Sequence, residues 1–211
     1  MKPEKVLFEL KNRYPDVKCA LIHKNAYELA ISAILSAQCT DVRVNIVTSE
    51  LFNKYSTIDD LANADIEDVK KIIRSTGFFN VKAKNIVGFS KKVMDDYKGI
   101  VPDEMEELIK LPGVARKIGN VILGEWYKKP EGIAVDTHVK RLSKLIGLTK
   151  HDDPVKIEKD LMKIFPKNEW VYISLALIQY GRDYCKATRH DTTKCFLGGH
   201  ELNMEPIARN T

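Results

Sequence analysis

Leu111-Pro-Gly-Val-Ala-Arg-Lys117 lies between two segments that carry helix signals. The segment before it, residues 102–110, begins with proline and places Asp103 and Glu106 in capping-box register, so it predicts a short helix. Leu111-Pro-Gly-Val ends that helix, and apolar residues then recur at helical spacing over residues 115–127. The sequence therefore predicts two helices joined by a tight glycine turn.

This turn predicts a site for an anion followed by two chemically useful side chains. The first amides of a helix lack intrahelical acceptors and lie at the positive end of the helix dipole, so they can bind a phosphate. Lys117 adds an amine, and Asp136 in Ala134-Val-Asp-Thr-His138 adds a carboxylate nineteen residues later. The combination indicates covalent chemistry on DNA.

The composition is that of a globular protein and argues against a membrane-spanning or secreted protein. The 211 residues are 44% hydrophobic and 30% charged, with a formal net charge of +5, which favours a polyanionic partner only mildly. We expect no membrane association, because no apolar run is long enough to cross a bilayer. The amino terminus lacks the apolar core of a signal peptide, so we expect a cytoplasmic protein, at a bacterial or archaeal nucleoid. The four cysteines are then expected as thiols or metal ligands rather than disulfides.

Helix signals recur along the chain, and no convincing alternation of period two indicates a strand. Asn25, Thr40 and Asp65 each precede an apolar helical stripe, and glycines or a proline follow several stripes. The fold class is therefore predicted to be all-α. Further helices are predicted at residues 26–35, 41–52, 66–74, 82–97, 137–146, 153–164 and 169–184.

Four more segments accompany the hairpin in a defined order and spacing. They are Leu35-Ser-Ala-Gln-Cys-Thr-Asp41, Gly77-Phe-Phe-Asn-Val-Lys-Ala83, Ile133-Ala-Val-Asp-Thr-His138 and Tyr180-Gly-Arg-Asp-Tyr-Cys185. Along nearly its whole length the chain resembles the endonuclease III family of the helix-hairpin-helix DNA glycosylase superfamily. The resemblance implies two helical domains with a DNA-binding active-site cleft between them. A six-helix domain, 19–130, would carry the hairpin, and a discontinuous domain, 1–18 with 131–211, would carry Asp136 facing Lys117.

The resemblance also implies an activity, namely a bifunctional DNA glycosylase and abasic-site lyase that removes oxidised pyrimidines in base excision repair. Lys117 would attack the sugar to form an imine and permit β-elimination, and Asp136 would stabilise the positively charged sugar. From position alone, Lys117 could instead be a phosphate contact and Asp136 a helix N-cap. We expect a monomer whose partner is double-stranded DNA with damaged bases or abasic sites.

Extruding the damaged nucleotide leaves a gap in the duplex. By resemblance, Gln38 would fill that gap and Phe78 would wedge into the opposite strand, although Phe78 and Phe79 could instead pack a helix end. Ala115 stands where the family usually has a second glycine, and a methyl there restricts positive φ. The remaining DNA-binding residues are expected to be Gly113, Val114, Ala115, Arg116, His138 and Arg141.

Many family members hold a four-iron cluster with four cysteines, and the corresponding positions here are Cys185, Thr192, Cys195 and Glu201. Two thiolates are missing, so we expect no iron-sulfur cluster and no cofactor. His190 and His200 alternate with the two cysteines and suit zinc by ligand type. Their spacing matches no zinc module, so packing alone is the preferred explanation of how this loop is ordered.

Two alternatives for function stay open. The chain could be a glycosylase for a different lesion, such as an oxidised purine or mismatched uracil or thymine. It could also be a non-catalytic helix-hairpin-helix protein that only clamps DNA phosphates. Borohydride trapping on abasic DNA separates the second alternative from the enzymes.

Overall fold

The computed structural model describes residues 1–198, and every regular element among them is a helix or a helical turn. The all-α prediction is confirmed. Among the same residues, no helix combines the length and the apolar character that crossing a bilayer requires. Glu201 and His200, two of the residues considered above as ligands, lie outside the described residues.

The helices are joined by connections of different lengths. In chain order they are α1 Pro3–Arg13, α2 Ala26–Leu35, α3 Asp41–Lys54, α4 Ile58–Ala62, α5 Ile66–Ile73, α6 Phe79–Tyr97, α7 Met105–Leu108, α8 Arg116–Val121, α9 Thr137–Ile146, α10 Pro154–Ile164 and α11 Trp170–Asp183. Short 3-10 turns cover Arg74–Thr76, Lys167–Glu169 and Thr192–Lys194.

The chain divides into two compact units. One is continuous, Cys19–Glu131, and the other joins Met1–Lys18 to the described residues from Gly132 onward. Each unit has its own apolar core. In the continuous unit α6 packs against α2, α4 and α5, while in the discontinuous unit α11 packs against α1 and α9.

Polar side chains begin several of the helices, and three of those predicted from the sequence do so in the structure. The side chains of Asn25, Thr40 and Asp65 accept hydrogen bonds from the amides three residues later. Asp136 and Asp153 cap α9 and α10 in the same way. These bonds satisfy amides that the helices cannot satisfy themselves.

The capping box predicted from Asp103 and Glu106 is wrong. The helix at this place is only α7, and its N-cap is Glu104, which makes no side-chain cap. The carboxylate of Asp103 instead forms an ion pair with Lys129. A contact with a residue distant in sequence therefore overrides the local pattern.

A capping box does occur earlier, where none was predicted. The Thr57 hydroxyl accepts from the Asp60 amide at 3.1 Å, and the Asp60 carboxylate accepts from the Thr57 amide at 2.9 Å. These reciprocal bonds start α4, which is only five residues long. Such a short helix offers too few apolar positions to show a helical period.

The helix after the hairpin changes its winding. α8 continues without a break into a π-helical turn, Ile122–Trp126. The amide of Tyr127 donates to the carbonyl of Ile122, five residues back, at 3.3 Å. The predicted helix over 115–127 is present, but its second half is wound more widely, a feature that is frequent at functional sites.

Candidate active site

Gly113 makes the hairpin as tight as the sequence predicts. Its φ is +79°, and a Cβ there would lie 3.0 Å from the Asn85 Cβ and 3.2 Å from the Ile34 Cγ2. Any side chain would therefore be strained by the backbone and crowded by neighbours. The Val114 amide donates to the Leu111 carbonyl at 3.1 Å and closes the turn, and the Val114 side chain is buried.

Ala115 is the N-cap of α8 and has extended backbone angles, φ −96° and ψ 170°. Any residue adopts this conformation, so its methyl group imposes no backbone strain. The hairpin therefore needs no positive φ at Ala115, and its positive φ lies at Gly113. Ala115 gives α8 no side-chain cap, and its carbonyl accepts from the amides of Ile118 and Gly119 at 2.9 and 3.0 Å.

Lys117 lies in the first turn of α8, and it is exposed together with Ala115 and Arg116. Asp136 is half-buried at the start of α9, and its Oδ1 accepts from the Val139 amide at 2.8 Å. The capping interpretation of Asp136 is thus correct as a description of its contacts. A carboxylate has a second oxygen, so capping does not exclude a catalytic role.

Gln38 and Phe78 share an unusual backbone conformation. Their φ values are +53° and +48°, in the left-handed region that residues other than glycine seldom occupy. Both residues are exposed, and Phe78 keeps 66% of its surface accessible, whereas Phe79 packs against the core. Strained residues held at the surface are frequent at functional sites.

Lys82 connects the segments that carry these two residues. It is buried, with 4% exposure, and its Nζ donates to the Leu35 carbonyl at 2.8 Å and to the Thr76 carbonyl at 2.7 Å. Leu35 ends α2 just before the turn with Gln38, and Thr76 lies two residues before Phe78. Sequence reasoning missed Lys82, because a lysine on a helix is usually on the solvated face.

Burial holds the pKa of the Lys82 ammonium below its ordinary value. The protein tolerates this cost because both carbonyls would otherwise be buried without a donor. Lys82 is therefore a structural link between two loops rather than a surface charge.

His138 and Arg141 lie on α9, and both are half-buried. The backbone of Gly181 on α11 passes so close that a Cβ there would lie 2.6 Å from the His138 Nδ1. Arg141 donates through Nη2 to the Cys185 carbonyl and lies 3.6 Å from the Cys185 Sγ through Nη1. The main contact of Arg141 in this structure is thus the loop after α11.

That loop brings together three residues that can bind a metal. The ligand atoms of Cys185, His190 and Cys195 all lie within 4.8 Å of one another. The His190 Nε2 is 3.3 Å from the Cys195 Sγ. Burial, together with the neighbouring Cys185, raises the pKa of the Cys195 thiol to about 11.

A four-iron cluster does not fit these residues. Such a cluster takes four thiolates, and Thr192 is an exposed residue at the start of a 3-10 turn. The other two cysteines, Cys19 and Cys39, pack against the core of the continuous unit. Only Cys185 and Cys195 can therefore contribute thiolates from the described part of this loop.

Phe196 and Leu197 pack the loop against α11 and the residue after it. The Phe196 ring contacts the rings of Tyr180 and Tyr184 at centroid distances of 4.7 and 5.4 Å. Leu197 is buried, and its amide donates to the Tyr180 hydroxyl at 3.4 Å. Packing does not exclude a metal, and the convergence of three ligand residues leaves the expectation of a loop without a cofactor unconfirmed.

Comparison with known proteins places this site in a family. Residues 31–167 match the family described as HhH-GPD superfamily base excision DNA repair protein. Endonuclease III of Synechocystis sp. is 46% identical over 192 residues, which cover 91% of this chain and 88% of the relative. Endonuclease III of Bacillus subtilis is 42% identical over 190 residues, covering 90% and 86%. The chain belongs to the endonuclease III family.

Solved structures of endonuclease III have the same fold. A non-covalent endonuclease III–DNA complex and a trapped endonuclease III–DNA covalent intermediate each match with a TM-score of 0.88 at 42% identity. Each match covers 93% of this chain and 94% of the solved chain. A thermostable thymine-DNA glycosylase matches with a TM-score of 0.80 at 19% identity, which shows a shared fold. The resemblance to the endonuclease III family and the predicted fold class are confirmed.

Proposed function

We propose that this member of the endonuclease III family is a bifunctional DNA glycosylase and abasic-site lyase. One observation carries the proposal. Lys117 stands exposed in the first turn of the helix that follows the hairpin, in a chain 42% identical to a protein trapped as a covalent intermediate with DNA. An amine on a phosphate-binding hairpin is well placed to attack a nucleotide sugar.

The chemistry that we propose uses one lysine for two steps. The neutral amine of Lys117 attacks the anomeric carbon of the extruded nucleotide, and the damaged base departs with the electron pair of its glycosidic bond. Loss of a proton and opening of the sugar give an imine, which acidifies the neighbouring carbon. Removal of a proton from this neighbouring carbon then breaks the carbon–oxygen bond to the 3′ phosphate, which leaves by β-elimination.

Asp136 is proposed to stabilise positive charge on the sugar as the base leaves. A carboxylate does this electrostatically without being consumed. Its cap bond to the Val139 amide fixes the side chain at the start of α9, so the charge is held in place before substrate binds. Asp136 would then serve both the helix and the reaction.

The remaining predicted residues are proposed to hold and deform DNA. The hairpin residues Gly113, Ala115 and Arg116 would contact a phosphate, and Val114 would support the turn from below, because its side chain is buried and its amide already closes the turn. Gln38 would enter the gap left by the extruded nucleotide, and the exposed Phe78 ring would stack in the opposite strand, worth about 1 to 3 kcal/mol per base. His138 and Arg141 would line the path of the backbone from α9.

The proposed substrates are oxidised pyrimidines in double-stranded DNA, as the family resemblance implies, and no step above requires an iron-sulfur cluster. A panel of duplexes, each with one lesion, tests this choice. Fastest release of an oxidised pyrimidine is expected. Faster release of an oxidised purine, or of mismatched uracil or thymine, would replace this substrate class with the corresponding alternative.

The decisive experiment is borohydride trapping on abasic DNA with Lys117→Gln. We expect trapping and strand cleavage to disappear, because glutamine cannot form an imine, while binding to an abasic analogue changes by less than about tenfold, or roughly 1.4 kcal/mol. Lys110→Gln is the matched control, since this lysine is exposed just before the hairpin. It should trap normally.

Two outcomes would contradict the proposal. Full trapping by Lys117→Gln would remove this lysine from the mechanism. Tight binding by the natural sequence without any trapping or cleavage would favour the non-catalytic DNA-binding alternative.

A further inference from the structure

The loop after α11 places two thiols and an imidazole around one point. Cys185 is fully buried, Cys195 is nearly so, and His190 is half-buried. We propose that these three residues bind a single divalent metal ion, with zinc the best match. The proposal goes beyond the glycosylase function and does not depend on it.

The distances suit one ion better than a cluster. Zinc–sulfur and zinc–nitrogen bonds of about 2.3 and 2.0 Å at tetrahedral angles place neighbouring ligand atoms roughly 3.5 to 3.8 Å apart. The His190 Nε2 and Cys195 Sγ are 3.3 Å apart, and all three ligand atoms lie within 4.8 Å of one another. Adjustments of less than about 1.5 Å would give each pair the ligand spacing of a zinc ion.

The orientation of the His190 ring is the one that metal binding needs. Its Nδ1 lies 2.8 Å from the Thr188 carbonyl. A carbonyl can only accept, so Nδ1 carries the proton, and in a neutral ring the lone pair is then on Nε2. That nitrogen faces Cys195. Metal-binding histidines commonly have their second nitrogen fixed by a carbonyl in this way.

Arg141 fixes the Cys185 end of the site, and the ligand set suits the charge of a divalent ion. The Arg141 guanidinium lies 3.6 Å from the Cys185 Sγ and donates to the Cys185 carbonyl. Two thiolates balance the charge of a divalent ion, and the buried site limits competition from water.

Ligand type selects the metal. Two thiolates and one imidazole are a common zinc set, and a water molecule can complete the tetrahedron. The ion would hold the backbone between residues 185 and 195, a loop that also carries the exposed basic residues Lys186, Arg189 and Lys194. The metal would therefore order a basic surface in place of the cluster that many relatives contain.

The first test is metal analysis of the protein purified without an affinity tag and without chelator. We expect about one zinc per chain, no labile sulfide and less than about 0.1 iron per chain. Four reactive thiols should be counted after denaturation without reductant. If two thiols are missing and are still missing in the Cys19→Ser, Cys39→Ser variant, Cys185 and Cys195 form a disulfide and the proposal is overturned. Four iron atoms with sulfide would overturn it as well.

The second test follows Co²⁺ titrated into protein freed of metal. Tetrahedral cobalt with thiolate ligands gives visible d–d bands and near-ultraviolet sulfur-to-cobalt charge-transfer bands, and Zn²⁺ should abolish both by displacement. His190→Ala should raise the Co²⁺ dissociation constant at least about tenfold. Cys185→Ser and Cys195→Ser should lose the charge-transfer bands.

Matched control variants distinguish loss of metal binding from a general loss of folded structure. Cys19→Ser with Cys39→Ser, and His151→Ala, change the same residue types away from the loop and should leave the cobalt spectrum unaltered. Should a cysteine variant fail to fold, His190→Ala and the wild-type titration still decide the matter. Absence of cobalt bands in the folded wild type, or equal loss in the controls, would overturn the site, whereas loss of borohydride trapping alone would count only against the glycosylase proposal.

Discussion

Asp136 caps a helix and is also proposed to supply a catalytic charge. Substitution by asparagine distinguishes these two roles. Asparagine caps a helix about as well as aspartate but has no charge. Asp136→Asn should therefore keep the free energy of unfolding within about 0.5 kcal/mol. Strand cleavage should slow by roughly 100-fold, the usual effect of losing one electrostatic contact in a transition state. Urea unfolding and single-turnover cleavage measure the two effects.

The control is the same change at another cap in the same unit. The Asp153 carboxylate accepts from the Lys156 amide at 3.0 Å at the start of α10. Asp153→Asn should leave both stability and cleavage nearly unchanged. Loss of stability in Asp136→Asn with normal activity per folded molecule would show that Asp136 is a cap and nothing more.

Lys82 supports a prediction about stability and pH. Lys82→Met leaves the buried carbonyls of Leu35 and Thr76 without their donor, so unfolding should become easier by about 1 to 3 kcal/mol. Burial lowers the pKa of Lys82 from 10.5 in the folded state, so the unfolded chain binds more protons just below pH 10.5. Wild-type stability relative to Lys82→Met should therefore rise with pH in that range.

Function should respond as well, because Lys82 holds the segments before Gln38 and Phe78. We expect Lys82→Met to bind an abasic analogue at least about tenfold more weakly, roughly 1.4 kcal/mol. Lys84→Met is the control, since Lys84 is exposed on the same helix, and it should preserve both binding and the pH dependence of stability. Normal binding by a folded Lys82→Met would mean that the two loops keep their positions without this link.

Helices α9 and α11 pack against each other at a glycine. A Cβ on Gly181 would lie 2.6 Å from the His138 Nδ1 and 3.1 Å from the Leu142 Cδ1. Gly181→Ala should therefore lower the free energy of unfolding by about 1 to 3 kcal/mol through overpacking. The displaced His138 should also weaken DNA binding. Thermal unfolding and fluorescence anisotropy with labelled DNA measure these changes.

Gly88 supplies the matched control within α6. A Cβ there would meet only Pro112, at 3.4 Å, an ordinary contact. Gly88→Ala should be neutral or stabilising by up to about 1 kcal/mol, because alanine favours a helix over glycine. Equal effects of the two substitutions would mean that crowding between α9 and α11 does not matter.

Helix boundaries could be predicted from the sequence where neighbouring residues determine them. Helix starts at Asn25, Thr40 and Asp136 follow from a side chain that binds an amide three residues later, and the sequence shows both. The failures arise where a distant residue decides the outcome. Lys129 takes the carboxylate of Asp103, and no local pattern reveals that Lys82 is buried against two carbonyls from other segments. The convergence of His190 with Cys195 likewise depends on how the loop closes.

The net charge of +5 indicates less about DNA binding than the positions of the charges on the surface do. Exposed lysines occur on α10 as well as in the loop after α11. If only net charge mattered, both sets would contribute equally to DNA affinity. Phosphate contacts behave differently, because each one releases counterions and steepens the dependence of affinity on salt by about 0.9 in the logarithmic slope. Salt dependence therefore distinguishes a DNA-facing basic surface from a generally basic protein.

Two triple variants with the same charge loss make this test. Replacing Lys186, Arg189 and Lys194 by alanine should weaken binding to abasic-analogue DNA and reduce the slope of log affinity against log salt by up to about 2.7. Replacing the exposed Lys156, Lys159 and Lys163 of α10 should leave the slope within about 0.5 of wild type, since long-range effects are screened. Equal slope changes in both variants would mean that only net charge matters, and a wild-type slope near zero would argue against DNA as the partner.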